Sequence, residues 1–178
     1  MRLFIMRHGK AETPVTAYQE RHLTERGKKE ADAAGAFLRM AGEIPDIIMH
    51  STQLRSRETA ERAMAAITAE DILTARKDLE EDADPEEFLA SVSAEYGRTG
   101  KKILAVGHNP FVSRLASIVI RGGRASMMED LGTGDLVGAE SVGSKMWRLR
   151  FFMPSATLSE LYASWGDIAG ELGTGSLP

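Results

Sequence analysis

The sequence predicts an α/β protein: three layers, α/β/α, around a mostly parallel central sheet of about six strands. Three observations predict it. Short apolar runs of strand length alternate with longer segments of helical period through most of the 178 residues. The composition is that of a folded domain, 43% hydrophobic and 27% charged. Neither an internal repeat nor a long linker interrupts the alternation. Residues 1–169 therefore read as one domain, and residues 170–178, rich in glycine, as a flexible C-terminal tail.

The elements follow in order. Leu3–Met6 is an apolar run of strand length. Thr24 caps a helix running to about Met40, with Ala31, Ala34, Gly35 and Leu38 on one face. Ile47, Ile48 and Met49 within Asp46–His50 form a buried strand, and Ser51 reads as the cap of the next helix. That helix carries Ala60, Ala63, Met64 and Ile67 at helical spacing. Ile72–Ala75 is a third strand. Asp84-Pro85-Glu86-Glu87 starts a helix: a capping Asp, Pro at the first position, and acids near the positive end of the dipole. Ile103–Val106 is a strand, and Asn109-Pro110 opens a helix that Gly122-Gly123 closes, with Asn109 as its cap. Leu136–Ala139 and Met146–Phe152 read as two strands joined around Gly143, suited to an antiparallel edge. Leu158, Leu161, Tyr162 and Trp165 mark a last helix that packs on the core.

Composition excludes several function classes. With 22 Lys+Arg against 26 Asp+Glu the net charge is −4, and no basic face for nucleic acid is implied. No apolar run approaches the roughly 18 residues of a membrane span. The start, Met1 to His8, is not a signal peptide, because charge returns after four apolar residues. The chain has no cysteine, which removes disulfides, thiolate metal sites and thiol catalysis, and suits a cytoplasmic setting. Its four His lack the close spacing of a metal motif, so neither metal nor other cofactor is expected.

In open α/β sheets ligands bind beyond the carboxyl ends of the parallel strands. Past the first strand stand Arg7, His8 and Gly9; past the second, Ser51 and Arg55; past Ile103–Val106, Gly107, His108 and Asn109. Arg21, in the loop before the first helix, is within reach of the same rim. Arg guanidinium groups grip phosphate oxygens as a bidentate fork. A neutral imidazole attacks phosphorus, and a second one donates hydrogen bonds to phosphoryl oxygens. Neighbouring Arg charges favour the neutral form of His8. These residue types suit phosphoryl transfer through a covalent phosphohistidine.

Arg7-His8-Gly9 after an N-terminal strand resembles the signature of the histidine phosphatase superfamily, also called phosphoglycerate-mutase-like. Ser51-Thr52-Gln53-Leu54-Arg55-Ser56-Arg57-Glu58-Thr59-Ala60 resembles that family's second block, usually Ser-Pro, an Arg, then Gln-Thr-Ala. Val106-Gly107-His108-Asn109-Pro110 resembles the block holding its second His. Chain length, Arg21–Gly27 and Thr133-Gly134 are most similar to the SixA group of phosphohistidine phosphatases. The resemblance implies the phosphoglycerate-mutase-like fold, His8 as phosphoryl acceptor, and Arg7, Arg21, Arg55, His108 and Gly9 as the phosphate pocket. Thr52-Gln53 stands where Pro-Leu is usual, and Glu58 where Gln is. Leu79–Pro85 offers no clean match to the acidic proton donor of many members.

A departing alkoxide needs a proton; an imidazole leaving from phosphohistidine needs far less help. The expected function is therefore removal of the phosphoryl group from phosphohistidine in a protein, with a histidine-containing phosphotransfer domain as the partner implied by resemblance. The alternatives are a small-molecule phosphomonoesterase of the same superfamily and a non-catalytic phosphate-binding module. A pair of His speaks against the latter, since binding alone needs only the Arg clamp. Glu80, Glu81 and Asp82 read as a solvated acidic face from which one donor is still conceivable. His22 and His50 read as structural or exposed, and Arg57 as a solvated helix charge. The sequence leaves the oligomeric state open.

Overall fold

The computed structural model describes residues 1–16, 19–67, 73–121, 130–143 and 146–171. Six strands form one sheet in the order β3-β2-β4-β1-β5-β6. They are β1 (Arg2–Arg7), β2 (Ile47–His50), β3 (Leu73–Ala75), β4 (Lys102–Gly107), β5 (Leu136–Ser141) and β6 (Trp147–Met153). The helices are α1 (Glu25–Met40), α2 (Leu54–Ile67), α3 (Pro85–Tyr96), α4 (Phe111–Arg121) and α5 (Ser155–Glu171). β1 to β4 run parallel to their neighbours in that group, whereas β5 and β6 add the expected antiparallel edge.

Strand residues alternate between two cores, as the two-residue period of a pleated sheet requires. Leu3, Ile5, Ile103 and Ala105 pack with Phe88 and Val92 of α3 and with Phe111, Val112 and Leu115 of α4. Phe4, Met6, Leu104 and Val106 pack with Ala34 and Leu38 of α1, Ala60 and Ala63 of α2, and Leu158 of α5. Both faces of the sheet are thus covered, and the central strands read as continuous apolar runs for that reason. The parallel strands β1, β2 and β4 end on Arg7, His50 and Gly107, so the segments that follow them converge at one rim.

Several local expectations change. Thr24 caps α1 as expected, its side chain accepting from Gly27 N–H, and Asp84 caps α3 in the same way. Ser51 does not cap α2, which starts at Leu54; its hydroxyl turns inward to His108. Nor does the Asn109 side chain cap α4. Its amide donates to the Leu131 carbonyl at 3.0 Å, and its oxygen accepts from Ser113 Oγ at 2.7 Å. A second polar partner nearby wins over the helix end. The last helix packs through Leu158, which is fully buried, but Tyr162 is 37% exposed and lies off the core. α5 continues through Gly170 and Glu171, past the point where the tail was expected to begin. Residues 172–178, Ile72 and the pair Gly122-Gly123 lie outside the described residues.

Candidate active site

The end of β1 delivers Arg7 and His8 into a tightly built corner. His8 N–H donates to the Gly107 carbonyl at 3.0 Å, tying the ends of β1 and β4 together. Gly134 N–H approaches the carbonyls of Arg7 and His8 at 3.2 and 3.3 Å from the other side. Gly134 holds φ +77, a conformation that side chains disfavour, and a Cβ there would stand 2.7 Å from Glu30 Cβ. Gly9 is packed as closely: a Cβ on it would meet the Gly27 carbonyl oxygen of α1 at 2.4 Å.

His8 is 6% exposed, and its two ring nitrogens do different things. Nδ1 lies 2.7 Å from the Gly9 carbonyl, which can only accept, so Nδ1 carries the proton. Nε2 is left with its lone pair, and Arg55 Nε donates to it at 3.2 Å. Burial first, and then the charges of Arg55, Arg7 and Arg21, push the imidazole down to about 4, against the opposing effect of the Gly9 bond. His8 is therefore a neutral imidazole at ordinary pH, the form that can act as a nucleophile. Gly9 N–H donates to Thr59 Oγ1 at 3.0 Å, so in this arrangement both backbone polar groups of Gly9 orient the loop.

His108, 1% exposed, stands with its ring centroid 5.0 Å from that of His8. Its Nε2 meets Ser51 Oγ in a short hydrogen bond. Burial, followed by His8 and then Arg55, Arg7 and Arg21, pushes it down to about 2. Both imidazoles are thus neutral in a pocket of positive charge, the field a phosphate dianion would meet.

Three guanidinium groups supply that field. Arg7 Nη1 donates to the Leu131 carbonyl at 2.5 Å, while its buried Nε has no partner within the protein. Arg55 is half-buried on the first turn of α2, and burial, then the Arg21 charge, lower its affinity for its proton. Arg21 Nε donates to the Glu12 carbonyl at 2.6 Å, and its charge acts on both His and on Arg55. All the candidate residues, Arg7, His8, Gly9, Arg21, Arg55 and His108, are therefore brought to one place.

The two departures from the family pattern each have a partner. Thr52 N–H and Gln53 Nε2 donate to Glu80 at 3.0 and 2.8 Å, and the Thr52 hydroxyl makes a third, short bond to it. Glu80 is therefore not part of a solvated acidic face, contrary to the sequence expectation; it latches the segment before α3 to the start of α2. Glu81 is exposed, and its charge and that of Glu80 act on Arg55. Glu58 accepts from Leu23 N–H at 2.7 Å and pairs with His22 Nδ1 at 2.7 Å, which draws the Arg21 loop onto α2. His50, buried, points Nδ1 at the Ser51 carbonyl.

Sequence reasoning missed three supporting residues. Ser51 was visible at the rim but read as a cap. Thr59 stood within the second block but was given no role, since that role depends on a contact 50 residues away. Glu30 did give one: it is a charge on the buried stripe of α1, between Gly27 and Ala34. It is 2% exposed and accepts from Lys10 N–H at 2.8 Å and Arg26 Nε at 2.7 Å. No group of three or more His, Cys, Asp or Glu is placed to hold a metal ion among the described residues.

Comparison with known proteins gives a consistent result. Residues 3–87 match the family model of the histidine phosphatase superfamily (branch 1). The protein histidine phosphatase SixA, solved with tungstate, superposes with a TM-score of 0.77 at 22% identity, covering 89% of this chain and 99% of that one. A protein of Agrobacterium tumefaciens assigned as a phosphohistidine phosphatase SixA gives 0.71 at 25% identity, covering 85% and 96%. A 2,3-bisphosphoglycerate-dependent phosphoglycerate mutase of Streptomyces griseus subsp. griseus is 37% identical over 67 residues, 35% of this chain. That match spans 26% of the mutase, about a quarter of its length.

Proposed function

We propose, from the match of residues 3–87 to the histidine phosphatase superfamily and the likeness in fold to SixA, that the chain hydrolyses phosphohistidine in a partner protein. The observation that carries this reading is the ring of His8: Nδ1–H is held by Gly9, and the Nε2 lone pair points at the Arg55 guanidinium, one of the groups that would bind the phosphoryl oxygens. His8 Nε2 attacks phosphorus, the P–N bond to the substrate imidazole breaks, and that imidazole leaves and is protonated. Water then attacks the phosphoryl group on His8, the P–N bond to Nε2 breaks, and inorganic phosphate departs. Arg7, Arg55 and Arg21 balance the charge of the transferring group in both steps.

Support for a P–N substrate comes from the acids. Glu80 already accepts from Thr52 and Gln53, so its oxygens are engaged away from a leaving group. A general acid contributes roughly 10²–10⁴-fold in rate. An imidazole leaving group tolerates the loss of that factor; an alkoxide does not. The likeness in fold to SixA agrees with a phosphorylated protein as substrate, such as a histidine-containing phosphotransfer domain.

One observation favours a second reading, a small-molecule phosphomonoesterase. Among the described residues Glu81 has no hydrogen-bond partner, and its charge reaches Arg55. The assay that separates the two compares turnover of a phosphohistidine protein and of aryl and alkyl phosphates. Strong preference for the first supports the proposal. Equal or better turnover of alkyl phosphates transfers the assignment to the monoesterase.

A further inference from the structure

We propose that Ser51 is a positioning residue that fixes the tautomer of His108, so that its Nδ1–H is the group offered to a phosphoryl oxygen. The use of that proton rests on the phosphatase reading; the tautomer itself does not.

The inference comes from counting protons in a buried cluster. Ser51 is fully buried, and its hydroxyl oxygen has two neighbours: the Gln53 N–H at 3.3 Å and His108 Nε2. The Gln53 amide can only donate. If His108 also donated, from Nε2–H, the hydroxyl would receive two hydrogen bonds, and its own proton would have no acceptor. A buried donor left unsatisfied costs on the order of 1–3 kcal/mol. If instead Ser51 Oγ–H donates to Nε2, the hydroxyl accepts once and donates once, and the single unpaired group is His108 Nδ1–H; the opposite arrangement leaves two unpaired, the Ser51 hydroxyl proton and the Nδ1 lone pair.

A neutral imidazole carries one ring proton. With Nε2 accepting, that proton lies on Nδ1. His108 is held neutral by burial and by the charges around it, which excludes the doubly protonated alternative. Nδ1 is buried and has no hydrogen-bond partner among the described residues. It belongs to a ring whose centroid is 5.0 Å from that of the nucleophile. A phosphoryl group bonded to His8 would bring acceptor oxygens to a donor that lacks one. The opposite tautomer would place a lone pair there and repel the same oxygens.

The two histidines thus receive opposite assignments from their neighbours. The Gly9 carbonyl, an acceptor, forces the His8 proton onto Nδ1 and leaves Nε2 to attack. The Ser51 hydroxyl, acting as donor, occupies His108 Nε2 and leaves Nδ1–H to bind.

The test is a ¹⁵N-edited NMR measurement on the full-length chain with ¹⁵N-labelled histidine, with and without inorganic phosphate, at neutral pH. The wild type should show His108 protonated at Nδ1 in both conditions, with the Nδ1–H resonance shifted by phosphate. In Ser51→Ala the Nε2–H form should become populated. The kcat for phosphohistidine turnover should fall roughly 10- to 100-fold with a smaller change in KM, since the lost donor acts mostly on the transferring group. A wild-type His108 protonated at Nε2 would overturn the proposal whether or not the variant folds. So would a folded Ser51→Ala that keeps both wild-type tautomer and kcat. A chain with the expected tautomer but no hydrolysis would instead remove the phosphatase reading and leave the tautomer assignment intact.

Discussion

At the scale of single residues, the burial of His8 has two measurable effects. The folded protein holds the imidazole neutral down to about pH 4, whereas an unfolded chain titrates near 6.5. Between those values the unfolded state binds the extra proton. This group therefore contributes its full stability above about pH 6.5 and loses it as pH falls towards 4, about 3 kcal/mol in all. Urea unfolding should show wild type losing about 2 kcal/mol relative to His8→Gln between pH 7 and 4.5. A constant difference would contradict the burial argument. In NMR titrations His8 should show no inflection between pH 5 and 8. His22, drawn upward by its bond to Glu58, should titrate above the ordinary value. Most of the site was legible at this scale. Arg7, His8 and His108 follow directly from the strand ends, because a residue just past a buried parallel strand has only one rim to occupy. Ser51 was placed at that rim but misread, since a hydroxyl before a helix has a local use as a cap, and its long-range partner is 57 residues away.

At the scale of elements, the latch between Glu80 and the start of α2 holds the turn that leads into Arg55. Thr52 and Gln53 precede Arg55 by less than one helical turn, and Glu80 is bonded to both. Glu80→Ala should weaken phosphate binding by raising KM several-fold, and should lower stability by only about 1 kcal/mol, since water can reach the released donors. Thr52→Ala combined with Gln53→Ala removes the two side-chain bonds and leaves the Thr52 N–H bond, so it should reduce the cost of Glu80→Ala, which a double-mutant cycle would show as coupling. Full additivity would mean that the latch has no energetic content. Glu81→Gln, by contrast, should change phosphohistidine turnover less than twofold. A loss of several hundred-fold would identify Glu81 as a proton donor and favour the monoesterase. The sequence hid this division. A run of acids ahead of a helix looks uniformly solvated, and only the tertiary contact separates the bonded Glu80 from the free Glu81. β6 lies at the antiparallel edge of the sheet as expected, and that position leaves Leu149 45% and Phe152 42% exposed.

At the scale of the whole molecule, the layered fold was legible because alternation of apolar runs and helical stripes has few compact solutions. The strand order was not. Placing β4 between β2 and β1 depends on crossovers whose lengths do not encode it. That order nevertheless makes the site, since it sets His8 and His108 on adjacent strands and brings Ser51 to His108 from the other side of β4. All the chemistry assigned to this rim is carried by His and Arg side chains. Turnover should therefore persist in excess chelator. Loss of activity that returns with zinc or magnesium would contradict that account.

The most direct measurement is of the covalent intermediate. The chain should be mixed with a protein labelled on phosphohistidine, quenched within milliseconds, digested and sequenced by mass spectrometry under alkaline conditions that preserve P–N bonds. The mechanism predicts a phosphoryl group on His8, formed and lost at rates that match turnover, and absent from His8→Ala, in which turnover is abolished while the fold survives. Normal turnover in His8→Ala, or a phosphoryl group on any other residue during turnover, would contradict it.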